Sequence, residues 1–230
     1  MKKVGFIGAA DKTSLIVYVA KVLEQLGKKV IVVDTTILQK AKYVVPSIDP
    51  TRAYVTDFDN VDYAIGFESM VDVAKYLGIK DGHSTANWDY DYMLIDIDSA
   101  NIIENFEIDE TGKNYFVTTF DMYALKRGIE ILRDTYIDLD LSKILINYNM
   151  NKEDEEYLNL LSMDTRVTWD EFTIYVPLLD ENQRQIEDDQ RVYKARIKKL
   201  IPEYQESIIY IVQNIVGDIS ISNIKKIIKE

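Results

Sequence analysis

The chain has 230 residues and a formal net charge of −12, with 27 basic against 39 acidic side chains, no cysteine and one histidine. The acidic balance opposes broad electrostatic binding to nucleic acid, which releases counterions from a large basic surface, and the missing cysteines exclude disulfides, thiolate metal sites and cysteine nucleophiles. His83 lies in the polar turn "KDGHSTANWD" and is read as a solvated loop residue, which leaves no histidine cluster for zinc and little basis for a serine hydrolase.

No apolar run approaches the roughly 20 residues of a membrane span. The opening "MKKVGFIGAADKTS" is basic, but its apolar stretch stops at Asp11 and Lys12, so residues 3–7 (KVGFI) are expected to form a first core strand rather than a secretory signal. Over 12–26, Leu15, Val19, Val22, Leu23 and Leu26 recur at helical spacing, with Gly27 as the C-cap. Strands are then expected at 29–34 (KVIVVD) and 52–56 (RAYVT), a helix at 69–77, and strands at 91–96 (DYMLID) and 115–119 (YFVTT). A helix at 121–134, a strand at 143–147 (KILIN), a helix at 152–162 and a strand at 172–176 (FTIYV) follow. Helices at 187–200 and 202–216 and a short helical tail at 219–230 complete the chain. Several strands are apolar nearly throughout, the pattern of parallel strands covered on both faces. The expected fold is α/β: a single domain over 1–230, with one doubly wound, mostly parallel sheet of about seven strands and helices on both faces.

In such sheets ligands sit beyond the carboxyl ends of the strands. The first strand is followed by Gly8, Ala9, Ala10, Asp11, Lys12, Thr13 and Ser14. The amides and dipole of a helix N-terminus attract an anion there, Lys12 is placed to reach a β- or γ-phosphate, and Thr13 to ligate Mg²⁺. The second strand ends in Asp34 and the fourth in Asp96; either carboxylate suits a magnesium ion or an attacking water. Asp98 is read as a solvated loop carboxylate.

Taken in order, these blocks resemble the ParA/MinD family of deviant Walker P-loop ATPases (SIMIBI class). "FIGAADKTS" stands against the family's GKGGxGKT with a following Ser or Thr, and "LGKKVIVVDTT" against its GxxVLLIDxD strand. "YDYMLIDID" stands against YDYIIIDxP, "YFVTTFDMYALKRGIEILRD" against VVxTPDxxSLxxxxxxL, "KILINYN" against the apolar strand ending in Asn-Arg, and "YVPLLDEN" against IPxD. The resemblance implies ATP and Mg²⁺ as cofactors, with no cofactor at all as the equal alternative given the departures from the family pattern. It makes Gly8 to Ser14 the phosphate loop, with Lys12 and Thr13 on the phosphates. Thr13 and Asp96 become the magnesium side, Asp34 the hydrolysis-linked aspartate, and Asn147 and Pro177 the neighbours of the adenine. It also implies a cytoplasmic protein that works as a homodimer or with secretion, pilus or partition machinery.

The departures from the family pattern matter as much. Ile7 stands where the family carries a signature lysine that reaches across a nucleotide-sandwich dimer. Phe6, Ala9 and Asp11 replace glycines that let such a backbone approach phosphate. Asp11 sets a like charge beside a triphosphate: at ~4 Å and an effective dielectric of ~20 the repulsion is ~4 kcal/mol, and half of that weakens binding well over tenfold. Because Asp is a favoured N-cap, the Asp11 carboxylate is expected to take the anion seat itself. This degenerate loop points to a positioning or assembly scaffold with weak or absent ATP hydrolysis, of the kind found in the TadZ/CpaE branch. The alternative is a weak but active ATPase that cycles between monomer and dimer in DNA or plasmid partition. Arg191, Lys194, Arg196, Lys198 and Lys199 in "RVYKARIKK" are the candidate DNA surface, weighed against a solvated helix face. Ile221, Ile224, Ile227 and Ile228 form a stripe in the tail that suits packing on the parent domain, or in a partner's groove, better than the peripheral membrane contact of MinD-like relatives.

Overall fold

Side chains of successive strand residues point to opposite faces of a sheet, and here both faces are covered. Val30 and Val32 of strand β2 (Val30–Asp34) enter one apolar cluster while Ile31 and Val33 enter a second. The same division separates Leu94 from Met93 and Ile95 in β5 (Tyr92–Ile97). The computed structural model describes residues 1–47, 52–108, 112–147 and 152–229.

The chain begins with β1 (Lys2–Ile7) and helix α1 (Thr13–Gln25); after β2 come α2 (Ala41–Val44), β3 (Tyr54–Phe58), β4 (Val61–Ile65) and α3 (Met70–Tyr76). Beyond β5 lie α4 (Ala100–Asn105), β6 (Asn114–Thr118), α5 (Met122–Arg133), β7 (Leu139–Asn147), α6 (Lys152–Leu161) and β8 (Val167–Pro177). The chain closes with α7 (Asp180–Val192), α8 (Pro202–Val216) and α9 (Ile221–Lys229). The sheet has eight strands in the order β3-β4-β2-β5-β1-β6-β7-β8. All pairings are parallel except β3 with β4. α1, α8 and α9 bury Leu15, Ile208 and Ile224 on one face; α3, α4 and α5 bury Val73, Ile103 and Ile129 on the other.

Three expectations are corrected. The sheet has eight strands, because β3 and β4 form a hairpin turning through Asp59 and Asn60, both left-handed at φ 55° and 65°. That conformation suits a two-residue connection whose twist matches the strands. The first hairpin strand lies at Tyr54–Phe58 rather than 52–56. The helix expected at 187–200 starts earlier and ends at Val192, where Tyr193 adopts a left-handed φ of 50°. Its early start places Asp180 and Glu181 in the first turn, where the helix dipole favours acids.

The tail folds back onto the domain. Ile224 and Ile228 are buried in the cluster shared with α1 and α8, so two residues of the isoleucine stripe lie inside the fold. Among the described residues no helix is long and apolar enough to cross a membrane. Replacing Ile224 by Ala is expected to lower the unfolding free energy by about 2–4 kcal/mol in a urea titration, whereas Lys226→Ala, on the exposed side, should change it by less than about 0.5 kcal/mol.

Candidate functional site: the loop after the first strand

β1 delivers its last side chain, Ile7, into the sheet core with no exposure. Gly8 then turns the chain: its φ is +143°, and a Cβ there would lie 2.2 Å from the Val117 carbonyl oxygen, so only glycine fits. Its amide donates to the Ile97 carbonyl at 2.9 Å, tying the loop to the end of β5. Beyond it, the amides of Ala9, Ala10, Asp11 and Lys12 have no acceptor among the described residues. They precede α1, whose dipole adds positive potential at the same place.

Lys12 is buried, and its Nζ donates to the Gly8 carbonyl at 2.8 Å and lies 2.6 Å from Asp96 Oδ1. The Asp96 contact is a close ion pair between two buried groups. Asp96 belongs to β5, between β1 and β2, and stands in register with Asp34. Burial pushes its carboxyl up to about 6; Lys12 opposes the rise and Asp34 adds to it.

Asp34 is almost fully buried, and both its oxygens are occupied. Oδ1 accepts from the Thr36 amide at 3.0 Å and from Thr36 Oγ1 at 2.6 Å; Oδ2 accepts from the Ala41 amide at 2.9 Å. The carboxylate therefore braces the segment between β2 and α2. Asp98 helps, accepting from the Ile37 amide at 2.9 Å through Oδ2, and Thr35 Oγ1 donates to the Asp96 carbonyl at 2.5 Å. Asp98 is thus a structural partner of this loop rather than a freely solvated group.

Asp11 caps less than expected. Its Oδ1 accepts only the Thr13 amide, at 3.2 Å, and its Oδ2 pairs with Lys40 Nζ at 2.8 Å. The N-cap residue of α1 is Lys12. The carboxylate touches the helix start without filling the row of unpaired amides. A small open cleft results, lined by Ala9, Lys12, Thr13, Lys40, Asp96 and Asp98 among others. Gly8, Ala10 and Asp11 also face it, whereas Ser14 turns away and accepts from Gln190 Nε2 of α7 at 3.3 Å. Asn147 and Pro177 are paired across β7 and β8, with Pro177 buried and its carbonyl accepting from Asn182. Pro177 does not line the cleft. Thr36, Leu38 and Lys40 were not anticipated; their signal was only that they follow Asp34 beyond the end of a central strand.

The donor set fits a polyphosphate with a divalent cation: unpaired amides and an ammonium for the anion, the buried Asp96 carboxylate and the Thr13 hydroxyl for the cation. Neither a protein-family model nor a curated protein matches the sequence. The architecture, by contrast, matches solved structures over nearly its whole length. An Aquifex aeolicus MinC:MinD cell division complex superposes with a TM-score of 0.60 at 14% identity, covering 96% of this chain and 98% of that one. The ATP complex of a Cyanothece McdA variant gives 0.61 at 11% identity, with 96% and 98% covered. A Borrelia burgdorferi B31 putative plasmid partition protein bound to AMPPNP gives 0.58 at 14%, with 95% and 99% covered.

The chain has the ParA/MinD fold.

Within that ParA/MinD fold the later basic segment is partly neutralised from inside. Arg191 pairs with Glu187 and Asp188, and Arg196 with buried Asp189 at 2.6 Å. Asp189 also accepts from Tyr18 OH at 2.9 Å, joining α7 to α1.

The elevated Asp96 carboxyl has a defined signature. Its folded value lies above the ordinary 3.8, so protonation favours the folded state; that contribution is complete below pH 3.8 and lost as pH rises through about 6. Carboxyl NMR titration of the metal-free protein should place the Asp96 midpoint near 6. The midpoint should move higher in Lys12→Met, which lacks the ammonium that holds it down.

Proposed function

We propose that this protein is a ParA/MinD-like positioning or assembly component with a degenerate phosphate loop, binding ATP weakly and hydrolysing it little or not at all. The observation that carries this reading is the Asp34 carboxylate. Both oxygens accept hydrogen bonds from Thr36 and Ala41, leaving this group committed to bracing a loop rather than directed at an attacking water. Ile7 supports it, since a buried aliphatic side chain supplies no charge to a transferring phosphoryl group.

In this reading the amides of Ala9 to Lys12 and the Lys12 ammonium hold the phosphates, and Thr13 and Asp96 hold Mg²⁺. Bound magnesium neutralises phosphate charge. Lys12 must leave Asp96 for the phosphate, and Asp11 opposes the incoming charge; both effects weaken binding. Asn147 and Pro177 border the base. The eroded loop is of the kind found in the TadZ/CpaE branch, and the partners are proteins, among them a second copy of the chain. The internal pairing of Arg191 and Arg196 supports protein partners over DNA. The protein acts in the cytoplasm. A second reading, a weak ATPase cycling between monomer and dimer in partition, is favoured by the four unpaired amides and the retained Lys12, Thr13 and Asp96.

Calorimetric titration with MgATP and a phosphate-release assay test the choice. The native chain is expected to bind weakly with turnover near background. Asp11→Gly should bind at least about tenfold tighter without gaining turnover, because Asp34 and Ile7 are unchanged. Steady turnover by the native chain would instead establish the second reading.

A further inference from the structure

We propose that Lys40 is a phosphate-binding cation supplied to the loop from within the same chain, and that Asp11 is its resting partner, exchanged when a polyphosphate arrives. The inference rests on the nucleotide-binding reading above and adds a residue and a regulatory contact to it.

Placement comes first. The segment from Thr35 to Lys40 is a braced arm. Thr35 is fastened to the Asp96 carbonyl, Thr36 to Asp34, and Ile37 to Asp98. The Gln39 amide donates to Thr36 Oγ1 at 3.1 Å while Gln39 itself adopts a left-handed φ of 45°. A non-glycine residue in that region is uncommon and persists where its surroundings impose it. The consequence here is to turn Lys40 over the loop, where it lines the same cleft as Ala9, Lys12 and Thr13. Its Nζ reaches the loop at Asp11 Oδ2, 2.8 Å away.

Charge comes second. Among the described residues two ammonium groups, of Lys12 and Lys40, line the cleft, and their situations differ. Lys12 is 2% exposed and paired with an almost equally buried Asp96. Lys40 and Asp11 are 46% and 56% exposed. A buried pair resists separation because each charge would be left without solvent; an exposed pair is weakly held because water replaces either partner. A polyphosphate entering along the unpaired amides therefore captures Lys40 more easily than Lys12. Asp11, released, turns to solvent. Ile7 brings no cation to the same edge, so Lys40 offsets part of the charge that Asp11 sets against the ligand.

The contact is also a brake. Because Asp11 and the ligand compete for one ammonium, removing the Asp11 charge should both relieve repulsion and free Lys40. The effect of losing Lys40 should then be larger in the Asp11→Asn background than in the native chain.

Calorimetry with MgATP and with inorganic tripolyphosphate, which lacks the base, tests this on the native chain, Lys40→Met, Asp11→Asn and the double variant. Lys40→Met is expected to weaken tripolyphosphate about tenfold, the scale of one partly screened charge contact, and more than that when Asp11 is Asn. On the native protein, peptide mass spectrometry after brief acetylation should show tripolyphosphate protecting Lys40 and sparing the rate at Lys42. Equal affinity of the native chain and Lys40→Met, with no protection of Lys40, overturns the inference and leaves the nucleotide reading standing. Absence of binding to either ligand by the native chain and by Asp11→Asn overturns both.

Discussion

The site depends on a buried charge pair. Lys12, the N-cap residue of α1, turns inward, and Asp96 on the central strand β5 receives it at 2.6 Å. Neither charge has water to fall back on, so each requires the other; removing one partner of such a pair commonly costs several kcal/mol because the remaining charge stays buried. This pair holds the loop's backbone across the ends of β1 and β5. The Gly8 carbonyl, accepting from the same ammonium, fixes the turn. The open row of amides is what remains outside once Lys12 has turned in.

A second ring of carboxylates surrounds that pair and does different work. Asp34 and Asp98 shape the arm beyond β2, and Asp11 faces Lys40 at the mouth. Four acids at one sheet edge would repel one another, yet each has found a specific donor: an amide, a hydroxyl or an ammonium. The rise of the Asp96 carboxyl to about 6 registers the residual tension, with burial as the main cause and Asp34 as a contributor. An edge arranged this way accommodates an anion only by rearranging its cations, which suits weak, exchangeable binding better than rapid turnover.

Much of the architecture was legible along the chain because parallel strands covered on both faces are continuous apolar runs. β1, β2, β5, β6 and β7 could be read directly. β4 was hidden: "VDYAI" follows the short polar connection Asp59-Asn60, and its hairpin partner buries Tyr54 and Phe58 at its ends with half-buried or exposed residues between them. α7 was displaced for the opposite reason. Its buried residues are Asn182, Ile186 and Asp189, so the inward face carries two polar side chains and lacks the apolar stripe by which amphipathic helices are recognised. Asp189 is tolerated there because Tyr18, Gln185 and Arg196 all donate to it.

The amino-acid order alone determined which groups stand at the ends of the strands: Gly8 directly after the first strand, Lys12 and Thr13 at a helix start, Asp34 and Asp96 closing their strands. These are local facts, set by strand length, turn geometry and helix capping. Only the tertiary structure decided which charge meets which. The order β2-β5-β1 brings Asp34, Asp96 and Lys12 to one edge and lets the arm after β2 lay Lys40 against Asp11. Pairings of that kind join segments far apart in the chain, and their strength varies with burial, a property that hydrophobic periodicity does not encode.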